Sequence, residues 1–198
     1  MNVRQTSVCS QFQQTNVCWT FLAVCAFFFI ASAQTNWPET EARLILQLSG
    51  DTEQKRSALS EIRNYQTEQA SRLAVTRLKD SNEIVRATAA SSVIFLPKAE
   101  AVNAIAPLLD DKAEFVRREA AYALGNVSSP GVAAPLLRLL QREKIIEVRS
   151  AAVIALGQSG DVSVIGVLVR ILKTKPKDET EFLRRSAARS IGQIAQIA

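Results

Sequence analysis

The hydrophobic pattern of this 198-residue chain changes near residue 37. Before that point an apolar run extends from Trp19 to Ile30 and is interrupted only by Thr20. Beyond it, apolar residues follow the i, i+3, i+4, i+7 spacing of amphipathic helices. No segment there alternates between apolar and polar residues with the period of two that is typical of a half-buried strand. The pattern predicts an all-α fold for everything after residue 37.

A short motif recurs five times in this helical part. Each copy has a basic residue, then small or aliphatic residues at +3 and +4 from it, and a larger aliphatic residue at +7. The basic residues are Lys55, Arg86, Arg117, Arg149 and Arg184, and their successive separations are 31, 31, 32 and 35 residues. A near-constant period in this range indicates a repeat architecture.

Each repeat is predicted to be a pair of helices. The second helix should begin at the basic residue and bury positions +3, +4 and +7, which in the fifth repeat are Ala187, Ala188 and Ile191. Gly125 and Gly157 follow at +8 in the third and fourth repeats. We expect both glycines to end their helices, because glycine commonly follows the last helical residue.

The first helix of each pair is more aliphatic. Its apolar core lies at residues 44–48, 73–78, 105–109, 136–140 and 167–172 in the successive repeats. Pro38 and Pro130 should begin two of these helices, and Pro107 should kink a third. One such pair cannot bury its own apolar face, whereas five stacked pairs share a continuous core. We therefore expect residues 34–198 to form one domain, an α-solenoid of five helical hairpins.

The signature Val-Arg-x-x-Ala-Ala-x-x-Leu-Gly, which starts at Val116 in the third repeat, resembles the short HEAT-like repeats of the phycobilisome-lyase type. The resemblance extends over residues 39–198. It implies a right-handed superhelix with the second helices on the concave side. It also implies that a turn acid and the basic residue tie adjacent repeats together. The candidate pairs are Asp80 with Arg86, Asp111 with Arg117, Asp178 with Arg184, and Glu143 or Glu147 in the fourth repeat.

Residues 1–33 have the composition of a secretory signal peptide. Arg4 is their only charged residue, the apolar run follows, and Ala31-Ser32-Ala33 provides a small-x-small cleavage site before Gln34. The chain is therefore expected to be exported, to the periplasm or out of the cell. Membrane anchorage is the alternative, because the 17 residues from Val17 to Ala33 approach the roughly 20 that span a bilayer. A lipobox-like Leu22–Cys25 segment offers a second kind of anchor.

The composition argues against catalysis. The chain has no histidine, and its three cysteines all precede residue 34, so the mature domain has neither the commonest general base nor a thiol nucleophile. It also has no phosphate-binding glycine loop. Carboxylates near the inter-helix turns are expected to cap helices or form ion pairs. We expect no enzymatic activity, no catalytic residue, no cofactor and no metal site.

Binding to a protein partner is the predicted function. Positions +1, +2, +5 and +9 of the second helices should line the concave groove, where tyrosine, arginine and bulky apolar residues are typical of interaction hot spots. The candidate partner-binding residues are Phe95, Arg118, Tyr122, Ile154, Arg185 and Arg189. This interpretation makes the protein an exported scaffold or adaptor that binds no small-molecule substrate.

Three further expectations accompany this one. The resemblance leaves open a subunit of a chromophore (bilin) lyase. A nucleic-acid-binding HEAT-like protein would need a continuous basic stripe, which Ser91, Tyr122 and Ile154 interrupt. Self-association through the last helix is also expected, because its isoleucines have no later helix to cover them. These are Ile191, Ile194 and Ile197.

Overall fold

The computed structural model describes residues 36–175 and 177–197, so the predicted signal peptide lies outside the described residues. Within the described part of the chain, residues from Glu41 onward form one compact unit, and residues 36–40 belong to a separate one. The described residues form ten α-helices and no strand, which confirms the all-α prediction. The helices are α1 Trp37–Leu48, α2 Thr52–Tyr65, α3 Glu68–Ala74, α4 Glu83–Ser92, α5 Lys98–Ile105, α6 Glu114–Val127, α7 Ala133–Arg142, α8 Ile146–Gln158, α9 Ile165–Leu172 and α10 Asp178–Ile197.

The helices stack as successive hairpins. The first helices are α1, α3, α5, α7 and α9, and the second helices are α2, α4, α6, α8 and α10. Each of the second helices α2, α4, α6 and α8 packs on the second helix of the next repeat. This nearest-neighbour stacking defines a solenoid and confirms the predicted repeat architecture.

The second helices begin earlier than the sequence motif suggested. Helix α4 starts three residues before Arg86, and Asn82 caps it by accepting hydrogen bonds from the N–H groups of Ile84 and Val85. Helix α2 begins after Asp51, which forms a capping box with Gln54. A cap side chain satisfies backbone N–H groups that have no partner within the helix. The cap therefore sets the start, and the basic residue lies one turn inside.

Two first helices change their winding before they end. Helix α5 continues as a 3₁₀ segment, Ala106–Asp110, so the α-helix ends just before Pro107. However, α3 changes in the same way into Val75–Lys79, where there is no proline. The tighter last turn is thus a property of these two repeats and does not require proline. Pro107 lies within the 3₁₀ segment, where its missing N–H breaks no α-helical hydrogen bond.

The predicted buried rows are confirmed in the first four repeats, and +7 residues such as Leu124 and Leu156 are 0% exposed. The fifth repeat differs. Ala187 is buried as predicted, but Ala188 is exposed and Ile191 is only partly covered. The reason is that no helix among the described residues packs on that side of α10.

Gly125 and Gly157 lie inside their helices and do not end them, contrary to the prediction. A Cβ on Gly125 would lie 2.9 Å from Ala155 Cα, and one on Gly157 would lie 2.8 Å from Ser190 Cα. Both glycines therefore allow consecutive second helices to approach closely. A buried hydrogen bond also joins these helices where Ser190 Oγ donates to the carbonyl of Val153 at 2.9 Å.

A ladder of ion pairs and the surface of the second helices

A ladder of ion pairs joins successive repeats. Lys55 Nζ lies 2.9 Å from Asp80 Oδ2. Arg86 binds both carboxylate oxygens of Asp111, with Nε–Oδ2 at 2.7 Å and Nη2–Oδ1 at 2.8 Å. Arg117 Nε lies 2.7 Å from Glu143 Oε2. The sequence had suggested that each basic residue pairs with the acid of its own repeat, whereas the structure pairs it with the acid of the following repeat.

The guanidinium groups also hold the turn of their own repeat. Arg86 Nη1 donates to the carbonyls of Asp80 at 2.8 Å and Ser81 at 3.0 Å. The predicted partners Asp80 and Arg86 are therefore in contact, but Arg86 binds the backbone carbonyl of Asp80 and not its carboxylate. One arginine fixes its own turn and the next turn together, because guanidinium presents five donors in a rigid fork.

The ladder carboxylates are stabilised in their charged form. The hydrogen bond from Arg86 lowers the pKa of Asp111, with further help from the N–H of Ala113 and the nearby positive charge, and this outweighs the effect of burial. Burial by itself raises the pKa of Glu143, but hydrogen bonds from Arg117 and from backbone N–H groups bring it below the ordinary value. These carboxylates are therefore structural anions and not proton donors near neutral pH.

The ladder changes at the fourth and fifth repeats. Arg149 Nε is buried and has no hydrogen-bond partner among the described residues. Arg184 Nε donates to the carbonyl of Leu172 at 3.1 Å, and Arg184 Nη1 lies 3.7 Å from Glu181. The predicted pair of Asp178 with Arg184 involves a side chain outside the described part of the chain.

The predicted partner-binding residues lie mostly on the second helices. Arg118 and Tyr122 are one turn apart on α6 and are partly exposed, and Ile154 on α8 is also partly exposed. Arg185 and Arg189 are exposed and one turn apart on α10. Because the second helices pack in the same register, these residues occupy one surface, which we call the second-helix surface. Their role in binding stays a prediction.

Phe95 does not lie on a second helix, although the prediction placed it at the +9 position of one. Helix α4 ends at Ser92, so Phe95 lies in the turn before α5 and is partly covered there. The prediction assumed that α4 is as long as α6. Some +1 and +2 positions that were expected to face outward are buried as well. These are Ala87, Ser150, Ala151 and Ser186.

A row of apolar residues that the sequence analysis missed extends the second-helix surface. In three repeats, the residue two positions before the repeated basic residue is bulky, apolar and accessible to solvent. Ile84 is 40% exposed, Phe182 is 56% exposed and Phe115 is partly exposed. Phe115, Arg118 and Tyr122 have the i, i+3, i+7 spacing of one helical stripe. The sequence does contain a signal for these residues: each is an apolar residue in the first turn of a second helix, at a position outside the buried stripe.

Arg118 connects this row to the predicted site. Its guanidinium carbon lies 5.2 Å from the centre of the Phe115 ring, which is within the range of a cation–π interaction. Its Nε and Nη2 each lie 3.1 Å from Glu119 Oε1. Beside this pair is a small cleft of about 120 Å³ between α6 and α8. Its lining residues are Glu114, Phe115, Arg118, Ile145, Glu147 and Val148.

No group of three or more metal-ligating side chains is found in the described part of the molecule. None of the helices described combines the length and the apolar composition that crossing a bilayer requires.

Comparison with known proteins agrees with this geometry. A profile of HEAT repeats matches residues 41–123, 72–147 and 104–192. The complex of CpcE and CpcF of phycocyanin lyase from Nostoc sp. PCC7120 has a similar fold, with a TM-score of 0.64, 22% identity, and coverage of 77% of this chain and 64% of that chain. This chain thus spans slightly less than two thirds of that protein's length.

An engineered protein solved by the Northeast Structural Genomics Consortium is also similar, with a TM-score of 0.55, 23% identity, and coverage of 77% of this chain and 78% of that chain. The curated proteins give no match. At these identities the similarity between structures concerns the fold, whereas the sequence profile covers most of the chain. Together with five stacked hairpins and the ladder between them, the profile shows that the chain belongs to the HEAT repeat family.

Proposed function

We propose that this protein is an exported, non-catalytic scaffold that binds a segment of another protein on its second-helix surface. The single observation that carries the proposal is the stripe of Phe115, Arg118 and Tyr122 on α6, which leaves aromatic and cationic groups accessible beside Ile154 of α8. Tyrosine and arginine in partly buried positions are the residues that dominate binding energy at protein interfaces.

The spacing of the repeats suits an extended peptide. Packed helices lie about 8–10 Å apart, and a polyproline II chain advances about 3.1 Å per residue with three residues per turn, so that every third side chain points the same way. A bound segment would therefore present a side chain to each successive repeat about every third residue. Apolar side chains at this spacing could cover Ile84, Phe115 and Ile154, which the solenoid itself leaves accessible.

Charge on the same surface argues for a protein ligand over a nucleic acid. The first turns of the second helices carry exposed acids beside the arginines, including Glu83, Glu114 and Glu147. Phosphates would be repelled by these carboxylates, and a nucleic-acid groove generally has an uninterrupted basic lining. A peptide with mixed charge and apolar anchors meets no such conflict.

Capture of partners from the native envelope tests this proposal. The bait is the protein as produced by its own host, and the double variant Tyr122→Asp with Ile154→Asp should lose the captured partner while keeping its helicity by circular dichroism. Val162→Asp is the matched control, because Val162 is 56% exposed but lies outside the second helices. Equal retention of the partner by the parent, the double variant and the Val162→Asp control would show that the binding site lies elsewhere.

Export is tested separately. The signal-like residues 1–33 support it, and N-terminal sequencing of the protein from its host should give a chain that begins at Gln34. A chain that begins at Met1 and remains with the membrane fraction would favour the anchored form.

A second candidate function is a subunit of a bilin lyase, and the observation that favours it is the similarity to the CpcE–CpcF complex of phycocyanin lyase. Here the second-helix surface would hold the acceptor protein while another subunit contributes to the chemistry. Incubation of a bilin and the apoprotein of phycocyanin in lysates of the native host, from strains with and without this protein, distinguishes the two, because the lysate supplies the other subunit. Chromophore that stays attached after denaturation only when this protein is present would establish the lyase function.

A further inference from the structure

The fourth repeat reverses a short pattern that three other repeats share. Near the start of the second helix, the second, third and fifth repeats have an acid followed by a bulky apolar residue. These pairs are Glu83-Ile84, Glu114-Phe115 and Glu181-Phe182. In the fourth repeat the order is Ile146-Glu147. Glu147 therefore occupies the position at which the other three repeats expose an apolar side chain on the second-helix surface.

Glu147 lines the cleft between α6 and α8, which has a volume of about 120 Å³. The apolar part of the lining comes from Phe115, Ile145 and Val148. The acidic part comes from Glu114 of α6 and Glu147 of α8. An apolar cavity of about 150 Å³ holds benzene, so this cleft has room for a single side chain.

The two acids of the cleft have no counter-charge of their own. Both are exposed, and within the described residues neither forms a hydrogen bond or an ion pair. Arg118 is the one cation among the lining residues, and its Nε and Nη2 each lie 3.1 Å from Glu119 Oε1. Behind the cleft, Arg117 is bound to Glu143 in the ladder. The cleft thus combines an apolar lining with an excess of negative charge.

A long basic side chain matches both properties. Lysine and arginine pack their methylene stems on apolar surface and keep the charged group in contact with water. In this cleft the stem would lie against Phe115 and Val148, and the charged group would reach Glu114 and Glu147. An acidic side chain would be repelled by the two carboxylates, and a purely apolar one would remove water from them without replacing its hydrogen bonds.

We propose that the cleft between α6 and α8 binds a lysine or arginine side chain of the partner segment. This rests on the proposed function, because the cleft is part of the second-helix surface. Since one ligand residue in three faces successive repeats, the basic residue would have apolar residues three positions before and after it. These would cover Ile84 on one side and Phe182 on the other.

Selection from a library of random displayed peptides tests this specificity. The bait is the protein purified from its own host. It should enrich peptides with a lysine or arginine that has an apolar residue at the third position on either side. The double variant Glu114→Lys with Glu147→Lys should instead enrich peptides with an aspartate or glutamate at the central position, because specificity follows the sign of the charge.

Affinity measurements on one enriched peptide separate the charge from the rest of the surface. Glu114→Gln with Glu147→Gln should lower the affinity for this peptide about tenfold. The same variant should bind the counterpart peptide, which has leucine in place of the basic residue, as the parent does. Glu83→Gln is the matched control and should change neither affinity, because Glu83 is an equally exposed acid that does not line the cleft. Circular dichroism and thermal melting check that the variants fold.

The outcomes distinguish this proposal from the proposed function. Enrichment of apolar peptides without a central basic residue, or an unchanged basic preference in the double glutamine variant, would overturn the proposal and leave the proposed function standing. The double variant Tyr122→Asp with Ile154→Asp should lose both the basic and the leucine peptide, which tests the surface independently of the cleft. Failure of the parent to enrich any peptide would overturn both.

Discussion

Arg86 holds two repeats at once, because its Nη1 donates to backbone carbonyls of its own turn while Nε and Nη2 bind the Asp111 carboxylate of the next turn. Lysine cannot do the same, since an ammonium group is a point charge without the fork geometry. Accordingly, Lys55 in the first repeat makes a single 2.9 Å contact with Asp80. The contact to the next repeat is thus more firmly specified at Arg86 and Arg117, in the second and third repeats, than at Lys55 in the first.

Loss of the carboxylate from the second rung should be costly. Asp111→Ala leaves the guanidinium of Arg86, whose side chain is 9% exposed, with its own turn but no counter-charge. We expect the free energy of unfolding to fall by about 3 kcal/mol, as for other buried ion pairs that lose one partner. Denaturant titration measures this change.

The control for this experiment is Glu100→Ala, which removes the exposed pair with Arg72, whose two side chains are 50% and 43% exposed. It should cost less than about 1 kcal/mol. Equal effects of the two substitutions would show that the ladder contributes no more than a surface ion pair.

Two glycines, Gly157 and Gly192, allow the effect of packing to be separated from that of helix propensity. Gly157→Ala puts a Cβ 2.6 Å from Ser190 Cβ and 2.8 Å from its Cα, so helices α8 and α10 must move apart at a cost of about 1–3 kcal/mol. Gly192→Ala meets no atom within 4 Å and should stabilise the protein by about 0.5–1 kcal/mol, because alanine favours helix. Thermal melting of both variants gives the signs. Destabilisation by Gly192→Ala in the purified protein would show that this side of α10 is already covered.

At the scale of the element, the positions of the helices follow from the apolar spacing, but their ends do not. The spacing placed Ala120, Ala121 and Leu124 correctly on the buried side of α6. It could not place the start of α4, which depends on one side-chain cap, Asn82. The apolar spacing also could not show that α4 ends at Ser92. Because α4 ends there, Phe95 lies in a turn and not on the helix.

The ladder makes the stability of the helix stack depend on pH in acid. Hydrogen bonds and nearby positive charges hold the pKa of Asp80, Asp111 and Glu143 below the ordinary values. A folded-state pKa below the unfolded one contributes stability above the ordinary value of about 4, and that contribution is lost as pH falls through the folded-state pKa. We therefore expect similar unfolding free energies at neutral and mildly acidic pH and a steep loss below the ordinary value.

Chemical denaturation at a series of pH values measures this profile. Glu143→Gln should be less stable than the parent at neutral pH and should lose less stability on acidification, because the rung to Arg117 no longer titrates. Parallel profiles for parent and variant would contradict the assignment of the acid sensitivity to the ladder.

At the scale of the whole molecule, each second helix from α4 to α8 is packed between two others, whereas α10 has a described neighbour on one side. In nearest-neighbour architectures, local stability follows the number of packed interfaces. Amide hydrogen exchange should therefore show slower exchange in α6 and α8 than in the second half of α10. Uniform protection along all the second helices would instead indicate one cooperative unit or a covered α10.

The architecture could be predicted from sequence more completely than the contacts between repeats. Five copies at a near-constant interval leave little choice but stacked hairpins. By contrast, the acid six residues before Arg86 and the acid 25 residues after it are both plausible partners in a linear sequence. Asp111 is the carboxylate partner of Arg86 because of how adjacent hairpins are offset in space, which the linear sequence does not show. The exposed row at Ile84, Phe115 and Phe182 was missed for a related reason, since a helical stripe shows which residues share a side but not how far neighbouring helices cover it.

The ladder contacts join residues separated by 25, 25 and 26 positions. An in-frame duplication of one complete hairpin would restore every such contact on both sides of the insertion, because the new junction has the same spacing as the old ones. Removal of a few residues between a basic residue and its distant acid would break a contact instead. Related genes should consequently differ in length by multiples of about 31 codons, with smaller insertions confined to segments such as 173–177, where the interval is already longer.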